Sequence, residues 1–148
     1  MIRRAASADL PVIAALIDAA YGHYIPIIGR KPRPMLDDHA ARIAAGEHYV
    51  GLSEAGIEAV ITLTDEEPGA LHIFNIAVDP ASQGQGWLRR LLAFAEDEAR
   101  KRDRSKLTLF TNVLMERNRA IYGHLGFTEL REETGNGYRI VFMERPIP

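Results

Sequence analysis

The spacing of apolar positions changes character along the chain. Leu10, Ile13, Ala14, Ile17 and Tyr21 recur on one helical face. Ser7 ahead of them reads as a helix N-cap, and Asp9 suits a first turn. Ile2 to Ala5 fits a short opening strand. The stretch YIPIIGRKPRPM, residues 24 to 35, carries three prolines and one glycine and predicts a structured loop instead of regular helix. Asp37 to Ala45 reads as a second helix, stopped by Gly46.

From His48 the pattern becomes that of strands. His48 to Ser53, Ile57 to Thr64 and Ala70 to Val78 are separated by Glu-Ala-Gly and Asp-Glu-Glu-Pro-Gly turns. The third is apolar on both faces, with Leu71, Ile73 and Ala77 set against Phe74, Ile76 and Val78, as expected of a buried central strand. A helix from about Gly86 to Arg102 carries Leu88, Leu91, Leu92, Ala95 and Ala99 on one stripe. Lys106 to Thr111 is a further strand, and Glu116 to Leu125 a short helix ended by Gly126. Phe127 to Glu132 and Tyr138 to Glu144 form a hairpin around Thr134-Gly135-Asn136-Gly137. No repeat or linker interrupts the pattern, so residues 1 to 148 read as one mixed α/β domain, helices first and strands dominating the middle and end.

Composition narrows the function. The chain has no cysteine, which excludes disulfides, thiolate metal sites and a cysteinyl intermediate, and fits a reducing compartment. The net charge of −2 argues against nucleic-acid binding through a wholly basic surface. The cluster from Arg100 to Lys106 suits a helix C-terminus; a nucleic-acid module built on it is the weaker reading, because aromatic interleaving is absent. No apolar stretch approaches a membrane span, and the alanine-rich N-terminal run is broken by Asp9, Pro11 and Asp18, so it reads as an amphipathic helix, not a signal peptide. The expected location is the cytoplasm. His23, His39, His48 and His124 show no ligand spacing, so no metal is predicted.

The chemistry concentrates in AVDPASQGQGWLRRLLAFAEDEAR, residues 77 to 100. A strand, then Gln83-Gly84-Gln85-Gly86, then a helix is the layout of an anion site, because the first N–H groups of a helix lack internal partners. Arg89 and Arg90 oppose the helix dipole unless an anion offsets them. The plain alternative is a tight strand-to-helix turn with exposed glycines. A P-loop would need Gly-Lys-Ser or Gly-Lys-Thr, and the dinucleotide fingerprint a third glycine where Arg89 stands. Coenzyme A is the remaining common pyrophosphate carrier.

This segment resembles the GNAT superfamily of N-acetyltransferases, whose signature is Gln or Arg, two residues, Gly, one residue, then Gly or Ala. Gln83 to Leu88 supplies the Gln, the Gly and the placement between strand and helix, and departs at Leu88. TNVLMERNRAIYGHLGF, residues 111 to 127, is similar to the family's later motif, and AAYGHYIPIIGRKPRPM to the acceptor-side segment of a bacterial branch. The resemblance implies an α/β fold of the α+β type: a mixed, mostly antiparallel sheet flanked by helices, with a cofactor cleft where the central strands splay.

It also implies roles. Acetyl-CoA is held by the backbones of Ile76, Ala77 and Val78, by Gln83, Gly84, Gln85, Gly86, Trp87, Leu88 and Arg89, and by Asn112, Asn118 and Tyr122. Tyr122 is the acid that protonates the departing thiolate; taken alone it reads as a core tyrosine. Asn112 alone reads as a turn former and Asn118 as a residue of a helix start. Family members with a carboxylate base carry Glu eleven residues before the signature Gln, where this chain has His72. An unperturbed histidine titrates near ~6.5 and could accept an ammonium proton; a partly buried histidine at a strand start is the bland alternative. Tyr21, Tyr24, Ile25 and Met35 are candidates for an acceptor pocket or for ordinary packing. The expected activity is direct attack by a primary amine, of a small molecule or a peptide, on acetyl-CoA without a metal; the alternative is a non-catalytic acyl-CoA or nucleotide sensor on the same fold. Pairing as a homodimer is common in the family.

Overall fold

Twelve elements follow one another in the computed structural model, which describes residues 1 to 148. They are β1 (Ile2–Arg4), α1 (Leu10–Tyr21), α2 (Ile25–Ile28), α3 (His39–Ala44), β2 (His48–Ser53), β3 (Gly56–Thr64), β4 (Ala70–Val78), α4 (Trp87–Lys101), β5 (Lys106–Asn112), α5 (Glu116–His124), β6 (Thr128–Gly135) and β7 (Tyr138–Pro146). The strands form one sheet in the order β1-β2-β3-β4-β5-β7-β6. Every neighbouring pair is antiparallel except β4 and β5, which the α4 crossover makes parallel.

One face of the sheet carries α4, whose Trp87, Leu91, Leu92, Ala95 and Ala99 pack on Ile61, Leu63, Leu71, Ile73 and Leu107. The other carries α1, whose Ile13, Leu16, Ile17 and Tyr21 pack on Val50, Val60 and Ala77. Trp87 is the fully buried first residue of α4, where the sequence placed the stripe on Leu88. Its ring lies on Gly51 so closely that a Cβ there would come within 3 Å of three ring atoms. Leu88 is half-buried against the same cluster.

Several expectations change. Ser7 does not cap α1; Asp9 turns back, its carboxylate accepting from the Ala6 N–H at 2.7 Å and pairing with Arg3 at 2.8 Å. The 24-to-35 stretch is mostly helical turns, α2 and a 3-10 turn at Arg33–Leu36, because Pro26 and Pro34 occupy first-turn positions where a missing N–H costs nothing. The helical run Ser7–Ile28 is long and apolar enough to cross a membrane by those measures, contrary to the sequence reading; its apolar face lies on the sheet.

The face assignment along β4 is also corrected. Thr62 faces Asn75 but Leu63 faces Ile73, so Phe74 is an extra residue bulged out of the ladder. An inserted residue exchanges the faces of everything beyond it. Leu71 and Ile73 therefore point to α4, as do Ile76 and Val78, while Ala77 points to α1. At the far end, Asn136 and Gly137 both have positive φ, 52° and 79°, making the two-residue hairpin turn between β6 and β7.

Candidate active site

The bulge marks where the two central strands part. β4 and β5 are in register from Ala70 with Lys106 to Ile73 with Leu109 and no further. Beyond that, β5 continues along β7 to Asn112 while β4 continues along β3. The Asp79 N–H donates to the Glu58 carbonyl of β3 at 2.8 Å. Alternation along the strand then turns the amides of Val78 and Ile76 away from β3, into the opening. The Tyr21 hydroxyl reaches the Ile76 carbonyl from that side at 2.9 Å. Two pockets open here, and Tyr21, Ile76, Asn118 and Tyr122 line both.

The larger is a cleft of about 660 Å³ running from that junction to the start of α4. Ile76, Ala77, Val78, Gln83, Gly84, Gly86, Trp87, Leu88 and Arg89 line it; Gln85 does not. Gly84 and Gly86 hold φ of 81° and 80°, a conformation glycine adopts without strain, and a Cβ at either would meet nothing within 4 Å. No side chain caps α4, so its first amides are left without an internal partner. These residues fit a pyrophosphate: open backbone donors, no side chain in the way, and no Asp or Glu among the lining residues. The two arginines divide their duties. Arg90 lies over the Trp87 ring at 3.7 Å and donates to the Gln85 carbonyl at 3.1 Å, whereas Arg89 donates to no protein atom. Arg117 of α5, which the sequence reading passed over, stands on the same cleft, also without a partner.

At the junction, burial holds the Tyr122 hydroxyl well above the ordinary phenol value, with nearby Tyr21 and Tyr24 adding to the effect. Its ring meets Phe127 edge-on at 5.8 Å. Tyr24 donates to Asn118 Oδ1 at 3.3 Å and so fixes α5 against the N-terminal segment. The single Tyr21 hydroxyl proton is shared between Asn75 Oδ1 at 2.7 Å and the Ile76 carbonyl.

The second pocket is narrow, about 50 Å³, and sits on the α1 face between β4 and β5, closed by Pro32, Arg33 and Pro34 and by Tyr138 and Ile140 of β7. Of the proposed acceptor residues, Tyr21 lines both pockets and Tyr24 only the cleft. Ile25 and Met35 line neither; Met35 packs on the α1 cluster. Asn112 faces this pocket, not the cleft, and its Oδ1 accepts from the Leu114 N–H at 3.0 Å, the turn-forming alternative. Asn75 was missed, although a polar residue inside an apolar central strand was a visible signal. It is buried, and its Nδ2 has no partner.

His72 is not brought to Tyr122. It lies at the closed end of the strand pair, opposite Thr108, lines neither pocket and stacks behind Phe110 at 5.3 Å. Its Nδ1 contacts Thr108 Oγ1 at 2.8 Å, and Nε2 is 3.9 Å from the Glu66 carboxylate. Burial lowers its pKa against the pull of Glu66 and Glu67. The fold also brings Asp37, His39 and His48 within 4.8 Å of one another, a grouping the spacing did not disclose. Each already has a protein partner: Asp37 pairs with Arg42 at 3.0 Å, and the imidazoles contact each other at 3.1 Å.

Comparison with known proteins places this geometry. A model of the acetyltransferase (GNAT) family matches residues 15 to 127. The ribosomal protein bS18-alanine N-acetyltransferase of Escherichia coli (strain K12) is 37% identical over 86 residues, which is 57% of this chain and 58% of that protein. Among solved structures, a PaiA N-acetyltransferase from Thermoplasma acidophilum in complex with coenzyme A superposes with a TM-score of 0.81 at 13% identity, covering 99% of this chain and 98% of its own. N-acetylglutamate synthase from Neisseria gonorrhoeae, complexed with coenzyme A and N-acetyl-glutamate, gives 0.75 at 25% identity over 100% of this chain and 35% of its own.

Proposed function

The chain belongs to the acetyltransferase (GNAT) family, and from that premise we propose that it is an acetyl-CoA-dependent N-acetyltransferase acting on a primary amine in a ternary complex. The observation that carries this reading is the junction at Tyr122, where a cleft suited to a pyrophosphate meets a separate pocket through shared residues. Acetyl-CoA in the cleft would supply the thioester that an unprotonated amine attacks. The residues to hold it are the Gln83-to-Arg89 turn at the pyrophosphate, with Arg117 beside it, and the Ile76 and Val78 amides at the pantetheine arm.

Tyr122 keeps its proton throughout the neutral range and delivers it from Oη to the leaving sulfur. His72 lies outside both pockets, so the ammonium proton leaves through water instead of the imidazole. The absence of any Asp or Glu lining either pocket favours a second reading, a non-catalytic acyl-CoA sensor on the same fold. The bS18-alanine relative suggests a peptide N-terminus as one acceptor, and the proposed site of action is the cytoplasm.

A thermal-shift comparison of acetyl-CoA, CoA, NAD and ATP, followed by thiol release with an amine panel, tests the reading. A ligand at ~100 times its dissociation constant adds about 2.7 kcal/mol. Stabilisation by the two CoA species alone, with thiol release on adding an amine, supports the enzyme. Stabilisation without release supports the sensor, and no stabilisation overturns both.

A further inference from the structure

Arg33, Arg89 and Arg117 are the arginines whose guanidinium groups donate to no protein acceptor, and all three line the two pockets. Arg89 and Arg117 stand on the cleft. Arg33 stands on the narrow pocket, on the opposite side of Tyr122 from the pyrophosphate turn, so the cofactor reading leaves it unexplained. Its guanidinium lies over the Phe110 ring, Cζ 5.3 Å from the centroid, and it is the single charged residue of that pocket. Asn75 adds a second, independent mark. It is 4% exposed, Tyr21 fixes its Oδ1, and its Nδ2 is buried beside the pocket with no partner. A buried amide donor left unpaired in the free protein is a donor waiting for an oxygen.

These two groups define a charge preference. A polyamine or an aminoglycoside would bring further ammonium groups next to Arg33, with no carboxylate lining the pocket to receive them. A carboxylate meets a planar guanidinium suited to it and a nearby N–H donor. The rings of Phe74, Phe110 and Tyr138 around a volume of about 50 Å³ suit a small apolar side chain.

Resting on the acetyltransferase reading, we infer that the acceptor is a small primary amine that also carries a carboxylate, an amino acid with a small apolar side chain. Arg33 binds the carboxylate and Asn75 Nδ2 donates to the same end of the molecule. The amine is thereby turned toward Ile76 and Tyr122, which line this pocket and the cleft alike.

The test compares alanine, alaninamide, ethylamine and spermidine as acceptors, with CoA release followed by a thiol reagent. The expected kcat/KM for alanine exceeds that for alaninamide and ethylamine at least tenfold, and spermidine is the poorest. Arg33→Met keeps an apolar stem against Phe110 and raises the KM for alanine tenfold or more, while the KM for acetyl-CoA stays within twofold. Equal or better use of ethylamine, alaninamide or spermidine, or an unchanged KM in Arg33→Met, overturns the inference. If no acceptor is turned over, N-acetylalanine is added to the CoA-saturated protein in a thermal-shift assay. A rise in Tm present in the wild type and lost in Arg33→Met supports the inference, and no rise, or the same rise in both, overturns it. Failure of CoA itself to stabilise the protein counts against the acetyltransferase reading, on a separate readout.

Discussion

Tyr21 and Asn75 meet where β4 leaves β5, the Tyr21 hydroxyl sharing its single proton between Asn75 Oδ1 at 2.7 Å and the Ile76 carbonyl at 2.9 Å. The hydroxyl thus ties the last turn of α1 to the part of β4 that has lost its parallel neighbour. It supports the open strand edge and positions the amide that faces the narrow pocket. Burial raises the Tyr21 pKa, so the donor stays protonated.

Tyr21→Phe should therefore weaken the fold and the site together. Leaving buried Asn75 and Ile76 acceptors unpaired costs about 2 kcal/mol. Urea unfolding should show a lower midpoint with an unchanged slope, and the acceptor KM should rise more than the acetyl-CoA KM. A stability loss with both KM values intact would make Tyr21 a structural support only.

Tyr122→Phe separates enzyme from sensor. General-acid catalysis typically contributes ~10²-fold or more. The variant should lose at least that in kcat while calorimetry shows acetyl-CoA affinity within about threefold of the wild type. Because burial holds the hydroxyl well above its ordinary value, the wild-type rate should show no falling limb from Tyr122 ionisation as pH rises from 7 to 9. A limb in that range that disappears in Tyr122→Phe would refute the raised ionisation of the hydroxyl, and an undiminished kcat in Tyr122→Phe would refute its role as the acid.

Local pattern carried most of this architecture. The strands His48–Ser53 and Ala70–Val78 fall where alternation and turn residues put them, and the Gln83-to-Gly86 turn opens α4 as its glycines require. What stayed hidden depends on contacts distant in sequence. The Phe74 bulge is set by pairing with Thr62 and Leu63, and nothing in the residues of β4 announces it. His72 occupied the right position by counting, but the parallel pairing with Thr108 seals it behind Phe110. Arg33 lay inside a segment read for its prolines and aromatic residues; its significance comes from having no partner, which no sequence displays.

Arg89 and Arg90 should behave oppositely despite being adjacent. Arg89→Ala removes a cleft cation with no structural partner and should weaken acetyl-CoA binding about tenfold, a charge-assisted contact worth ~1.5 kcal/mol. Arg90→Ala should leave that affinity within twofold and instead lower Tm slightly, through lost contact with the Trp87 ring. Calorimetric titration with CoA at two salt concentrations decides it, because only Arg89→Ala should reduce the salt dependence of binding.

Buried His48 should impose an acid limit on stability that the carboxylates do not set. His48 is fully buried, its Nδ1 on Thr62 Oγ1 at 2.8 Å and its Nε2 on His39 at 3.1 Å, and burial depresses its pKa to about 4. The folded value lies below the unfolded value of ~6.5, so the unfolded chain takes up the proton first as pH falls. The contribution is whole above about pH 6.5, and is lost progressively down to about pH 4, reaching about 2 kcal/mol at pH 5. His72 shifts in the same direction and adds to the loss. Asp9, Glu58 and Glu129 have lowered values and withdraw their support only at more acid pH. Guanidinium unfolding at pH 7.5 and pH 5.0 should thus show a clear loss in the wild type. His48→Gln keeps a polar group near Thr62 but has nothing to titrate, so it should start less stable at pH 7.5 and lose about 2 kcal/mol less on acidification. Equal losses in both proteins would place the acid sensitivity elsewhere.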